Sequence, residues 1–188
     1  GEVYVAPRSR LDKENREDAR GYHLILLCKN ETGYKNLCML VSLANTEGFY
    51  VRPRVDMELL EKYSQGLVCL SACLAGVIPQ KILAGDYDGA KAEALRFRDI
   101  YGSDSFYLEI QDHHMPEQKK VNEALFKMSS ETGIPLVATN DAHYLRRSDA
   151  QVHDILLCVQ TGKTVYESPV RGFRSSIAKP HGGEEEGP

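Results

Sequence analysis

The feature that most narrows the possible folds is a seven-residue apolar run, Tyr22–Cys28 (YHLILLC), followed after the polar KNETG by a segment of helical periodicity. Such a run, ended by turn-forming residues, is the pattern of a strand buried on both faces of a parallel sheet. From Glu31 to Glu47 the residues Tyr34, Leu37, Cys38, Val41 and Ala44 recur at three- and four-residue steps. That spacing sets them on one face of a helix stopping at Gly48.

The alternation then repeats. A short helix is expected around Val55–Tyr63, a strand at Leu67–Leu70 and a helix from about Ala75 to near Gly85. A longer helix over Tyr87–Tyr101 turns Ala90, Ala94, Leu95 and Phe97 inward. The strand Phe106–Ile110, the helix Pro116–Thr132 with proline at its start, the strand Ile134–Ala138 and a last helix from Ser148, as N-cap, to Gln160 complete the series. Strands separated by helices imply βαβ units with right-handed crossovers. The expected class is therefore α/β. An incomplete, distorted (β/α) barrel suits the repeats better than an open sheet, and in either case chemistry gathers where strands end.

A chain of 188 residues, 42% hydrophobic, can bury one sizeable core, and one domain is expected over residues 1–166. Residues 167–188 lose periodicity and end in glycine, proline and an acidic triplet, which reads as a disordered tail foreign to the rest. The net charge of −4, from 27 acidic and 23 basic residues interleaved, argues against a free-standing nucleic-acid binder. No apolar run reaches the ~18 residues of a membrane span, and GEVYVAPRSRLDKENRED carries no signal-peptide core, so a cytoplasmic location is expected. A first residue that is Gly rather than Met, opening directly into strand-like GEVYVAP, reads as a cut from a longer sequence. Cys28, Cys38, Cys69, Cys73 and Cys158, odd in number and without a paired CxxC, read as reduced thiols, most of them in the core. No Walker loop, Rossmann fingerprint or GxSxG elbow is present, which leaves nucleotide-cofactor and serine-hydrolase chemistry without support.

The sharpest local pattern is ATNDAHYL at 138–145, closing the strand Ile134–Ala138. Asp141 and His143 are separated by one residue in an extended turn, so a carboxylate oxygen and an imidazole nitrogen could converge on Zn²⁺, Mn²⁺ or Fe²⁺; alternatively Asp141 caps a turn and His143 is simply exposed. His23, opening its strand, is either satisfied by a backbone partner or a metal ligand. Cys73, ending LVCLSACLAG, is either a small buried thiol or a thiolate ligand. Glu2, beside the first strand, is a surface carboxylate or a ligand. In QDHHMPEQ, Glu109 or Asp112 could join His113 or His114 at a metal, although adjacent strand residues face opposite ways and at most one histidine would point inward. His113 is expected in a loop with substrate-side or structural duty. His153 is expected to pack or face solvent, and the arginines of Arg52–Pro53–Arg54 and Arg146–Arg147 could touch phosphate or lie in solvent.

GEVYVAPRSRLDKE, YHLILLCKNETGYKNLCMLVSLANTEGFYVRPRVD, LVCLSACLAGVIPQKILAGDYDGA, FYLEIQDHHMPEQKKVN and GIPLVATNDAHYLRRSDAQVHDILLCVQTGKTV closely resemble, in order, the N-terminal polymerase and histidinol phosphatase (PHP) domain of bacterial replicative DNA polymerase III α subunits. The likeness spans roughly residues 1–166. It implies a distorted β/α barrel, a site for up to three divalent ions, zinc or manganese, and a metal-dependent 3′–5′ exonuclease or phosphoesterase reaction. Glu2, His23, Cys73, Asp141 and His143 match the family's ligand positions, and Arg54 joins His113 as a possible substrate-side residue. The family's opening HxH motif and its further ligands would precede Gly1, so about five of nine ligands are expected here and the chain alone is expected to be inactive. The resemblance further implies a parent nucleotidyltransferase with its own Mg²⁺ site, absent here. DNA, a proofreading subunit and a sliding clamp are the implied partners. A non-catalytic scaffold docking the proofreading subunit, or a stand-alone PHP phosphoesterase, are the alternatives.

Overall fold

The computed structural model describes residues 1–162 and 164; the expected tail, 167–188, lies outside the described residues. Two compact units are present, Gly1–Asp141 and a second from Ala142 onward. The first contains β1 (Glu2–Val5), β2 (Tyr22–Cys28), α1 (Glu31–Thr46), β3 (Arg54–Val55), α2 (Met57–Lys62), β4 (Leu67–Leu70), α3 (Val77–Leu83), α4 (Tyr87–Tyr101), β5 (Phe106–Ile110), α5 (Pro116–Thr132) and β6 (Leu136–Ala138). The second contains a 3₁₀ turn, Arg147–Asp149, leading into α6 (Ala150–Thr161). Ser148 is therefore inside the turn and not the cap of α6, and the Asp149 carboxylate instead accepts from the Arg146 N–H at 3.0 Å.

The class is α/β, as the periodicity implied. Among the described residues the six strands form an open sheet in the order β3-β1-β2-β4-β5-β6. The expectation of an all-parallel sheet holds only at β1/β3, β4/β5 and β5/β6. β2 runs antiparallel to both of its neighbours. The reason lies in residues 6–21, which carry no helix to make a crossover, so the chain turns back and β2 returns beside β1.

The register divides the sheet into two faces. Val3, Val5, Leu24, Leu26, Leu67, Cys69, Phe106 and Leu108 point one way and form a single core with Leu40 and Ala44 of α1, Ile78 and Ile82 of α3, Ala90, Ala94 and Phe97 of α4, and Val121, Leu125 and Met128 of α5. Phe97 stacks on Phe106 at 5.6 Å between centroids. A fully buried side chain of that size contributes roughly 2–3 kcal/mol. The other parity, Tyr4, His23, Ile25, Leu27, Val68 and Tyr107, is half-buried or exposed. YHLILLC is thus buried on one face only, with Leu27 47% exposed.

Two further expectations are corrected. The face α1 buries is Gly33, Leu40 and Ala44, while Tyr34 and Val41 are exposed. The helix is apolar on most of its circumference, so spacing alone did not select the packed stripe. Only Cys69 of the five free thiols is buried, and Cys28 and Cys38 are exposed.

Candidate metal centre

Four of the five proposed ligands belong to the first unit, and the sheet gathers them at strand ends. Tyr4 and His23 are register partners, as are Glu2 and Ile25, so Glu2 and His23 project from the open face. The Glu2 carboxylate contacts His23 Nδ1 directly. The Tyr4 ring meets the His23 ring edge-on at 5.1 Å.

Cys73 reaches the same imidazole because the loop after β4 is zipped to the start of β2. The His23 N–H donates to Ala75 O at 3.1 Å, and Gly76 N–H donates to Cys73 O at 2.9 Å. A Cβ on Gly76 would fall 2.2 Å from Ser71 O, so only glycine closes this loop. Cys73 Sγ then lies 3.7 Å from His23 Nδ1. Both readings of His23 are met in part: its backbone pairs within the fold while its ring faces Glu2 and Cys73. Burial pushes the Cys73 thiol above its usual range, and the negative charges of Asp141 and Glu2 push it further the same way.

Asp141 follows β6 with φ of 47°, and Ala72, immediately before Cys73, has φ of 64°. Left-handed backbone at non-glycine residues is costly and gathers at functional sites. Here it re-aims two candidate ligands at the points where their strands stop. His143 lies in the second unit, where its ring meets His153 at 5.7 Å; Tyr144 also packs on His153.

Glu109 and His113 brace the turn that carries Asp141. Glu109 is buried, and its Oε1 accepts from Gln111 Nε2 at 2.9 Å and from the Thr139 hydroxyl. Its own N–H donates to the Ser71 hydroxyl oxygen at 2.8 Å. One side chain and its backbone thus link the residues two before Cys73 and two before Asp141. His113 is exposed, yet both ring nitrogens are engaged. Gln118 Oε1 accepts from the His113 N–H at 2.7 Å, so the Gln118 amide nitrogen donates to Nδ1 at 2.8 Å and Nε2–H donates to Asn140 O at 2.9 Å. Glu109 thus spends one carboxylate oxygen within the fold, and His113 acts as a strut for Asn140, the structural duty among the two expected of it. Arg54, also expected there, is fully buried with its guanidinium against backbone carbonyls.

Replacing Glu109 by leucine is expected to cost about 2–3 kcal/mol, because the Thr139 hydroxyl and Gln111 amide lose their buried acceptor. Urea unfolding measures it. The signal for this role was present in FYLEI, a carboxylate inside an apolar strand, but its partner Thr139 is thirty residues away.

Among the described residues no three His, Cys, Asp or Glu side chains are drawn tightly enough to enclose an ion. The donor chemistry nonetheless fits one. Glu2 and Cys73 each approach the His23 ring, and carboxylate, imidazole and sulfur, with the Asp141 carboxylate after β6, are donor types that suit a divalent cation.

An α/β sheet whose strand ends gather carboxylate, imidazole and thiol donors is the architecture of a PHP domain, and a PHP-domain model matches residues 1–113. The chain belongs to the PHP domain family. It is 52% identical over 162 residues to the DNA polymerase III subunit alpha of Borreliella burgdorferi and 49% identical over 163 residues to that of Treponema pallidum, in each case covering 86% of the chain. Against the corresponding subunit of Thermus aquaticus it is 46% identical over 172 residues, 90% of the chain. The chain spans about 14% of the length of these relatives. Among the described residues no helix is long and apolar enough to cross a membrane.

Proposed function

We propose that this chain supplies the metal-dependent phosphoester-hydrolysing site of a bacterial replicative DNA polymerase α subunit, acting on the 3′ end of a DNA strand. The observation that carries this reading is the approach of the Glu2 carboxylate and the Cys73 sulfur to one imidazole, that of His23, with Asp141 following β6 of the same sheet. In it, Glu2 and Asp141 provide anionic oxygens, His23 a neutral nitrogen and Cys73 a sulfur, a set suited to zinc or manganese. His143, two residues after Asp141, is the further ligand that the Asp-x-His pattern assigns. When bound, such an ion supplies Lewis acidity and a nucleophilic water at neutral pH. The chain's own second layer, Glu109 with Thr139 and His113 with Asn140, keeps the Asp141 turn in place, a role that tunes metal affinity in other sites. Primer extension at a separate Mg²⁺ site, and contacts with DNA, a proofreading subunit and a sliding clamp in the cytoplasm, are proposed for the whole polymerase.

A second reading, a PHP scaffold without chemistry that docks the proofreading subunit, draws support from the direct Glu2–His23 contact, which occupies the space between two donors. Elemental analysis and hydrolysis of mispaired 3′ ends, both with the completed PHP domain, separate the two. Wild type is expected to carry zinc or manganese, and Asp141→Asn to bind it at least about tenfold more weakly. A wild-type protein that takes up neither metal refutes the metal reading and leaves the scaffold.

A further inference from the structure

We infer that Arg52 is the phosphate-binding cation of this site, holding a nucleotide or DNA phosphate beside the candidate metal centre; the assignment rests on the reading above. The arginines at this edge of the sheet differ in what they face. Arg8 pairs with Asp18 at 2.8 Å. Arg10 is enclosed by Asp56, Glu47 and Glu58 at 3.0, 2.9 and 3.1 Å. Arg54 is walled in by carbonyls. Arg52 is half-buried, and among the described residues no carboxylate pairs with it. Its guanidinium lies 4.7 Å over the Tyr4 ring, and that ring abuts His23. One aromatic ring therefore separates an uncompensated cation from the imidazole of the donor cluster.

The placement is built rather than incidental. A Cβ on Gly21 would fall 2.8 Å from Tyr4 Cβ and 3.0 Å from Arg52 Cδ, so glycine keeps open the slot in which the arginine stem lies. Val51 holds φ of 65°, a costly conformation for a β-branched residue, and Pro53 restricts the Arg52 backbone from the other side. The arm is pre-oriented over the ring, and among the described residues no acceptor takes its forked donors. A planar, permanently charged fork matches phosphate oxygens bidentately, and stacking on an aromatic face leaves its edge free to do so.

The test is calorimetric titration of the chain with inorganic phosphate and with a short oligodeoxythymidine, with and without zinc. Arg52→Met keeps the apolar stem on Tyr4 and removes the charge; it is expected to weaken phosphate binding at least about tenfold. Arg52→Lys restores part of the affinity, and Arg98→Met, on α4 beside Asp99, leaves it at the wild-type value. Loss toward both ligands identifies a free or terminal phosphate as the target, and loss toward the oligonucleotide alone identifies a phosphate within the strand. Phosphate binding by wild type without metal, lost in Arg52→Met, sustains the assignment even if the metal reading fails. A folded Arg52→Met that binds both ligands as wild type does, or a wild type that binds neither in either condition, overturns it.

Discussion

Replacing Arg54 by methionine is expected to destabilise the first unit by about 4 kcal/mol or more, a loss confined to mutations that break a buried network. Arg54 has no solvent exposure. Its Nε donates to Gly48 O at 3.1 Å, its Nη2 to Arg10 O and Asp12 O at 3.0 Å each, and its Nη1 to Asp18 O. One side chain thus satisfies carbonyls along residues 6–21, which have no helix or strand to pair them. Each buried acceptor left without a partner costs roughly 1–3 kcal/mol, and methionine restores none of them. The same loop is held by the Asp18 carboxylate, which accepts from Arg8 and from the N–H groups of Glu14 and Asn15; the Arg8 hydrogen bond, foremost, holds it below the ordinary carboxylate range. For a chain of this size the thermal midpoint should fall by about 10 °C. Lysine in place of Arg54 should rescue little, because one ammonium cannot reach carbonyls on four sides. A methionine variant melting within a degree or two of wild type would show that the loop is held by other means.

The second large effect is expected from His23→Ala, and it should appear in metal binding rather than in stability. His23 Nδ1 is the point on which Glu2 and Cys73 converge, so its removal takes away the nitrogen donor between a carboxylate and a thiol. Zinc or manganese affinity should drop on the order of a hundredfold. The metal-free protein should keep nearly its wild-type midpoint, since the backbone N–H that zips β2 to Ala75 is retained. Ligand-linked stabilisation grows with the logarithm of occupancy, so wild type should gain midpoint on adding metal while His23→Ala does not. Equal gains in both proteins would remove His23 from the ligand set.

Much of the molecule was legible before the coordinates. The spans of α4 and α5, the strands β4 and β5, and the alternation between them follow from local periodicity, which records whether each position is buried. The positions of the candidate donors were legible too, since Glu2, His23, Cys73 and Asp141 fall at strand ends wherever those strands go. Periodicity does not record partners. Nothing in YHLILLC distinguishes a strand covered on both faces from one covered on one face, because Ile25 and Leu27 are apolar in either case. α1 is apolar on most of its circumference, so spacing placed Ala44 inward correctly but could not choose Leu40 over Tyr34 and Val41 beside it.

The arginines show the limit most clearly. Arg52 and Arg54 alternate along one strand direction and share a face, so the sequence assigns them the same environment. The tertiary structure separates them because carbonyls of the 6–21 loop close on the Arg54 guanidinium, whereas at Arg52 the loop presents only Gly21 to the stem and leaves the guanidinium on the Tyr4 ring. Likewise the sequence offered Glu109 a histidine next door, and the fold offered it Thr139 across the sheet. By itself the sequence determined the α/β alternation and the family. Only the tertiary structure decided which groups meet, because strand order, and the direction in which β2 runs, are set by loop closure between residues far apart in the chain.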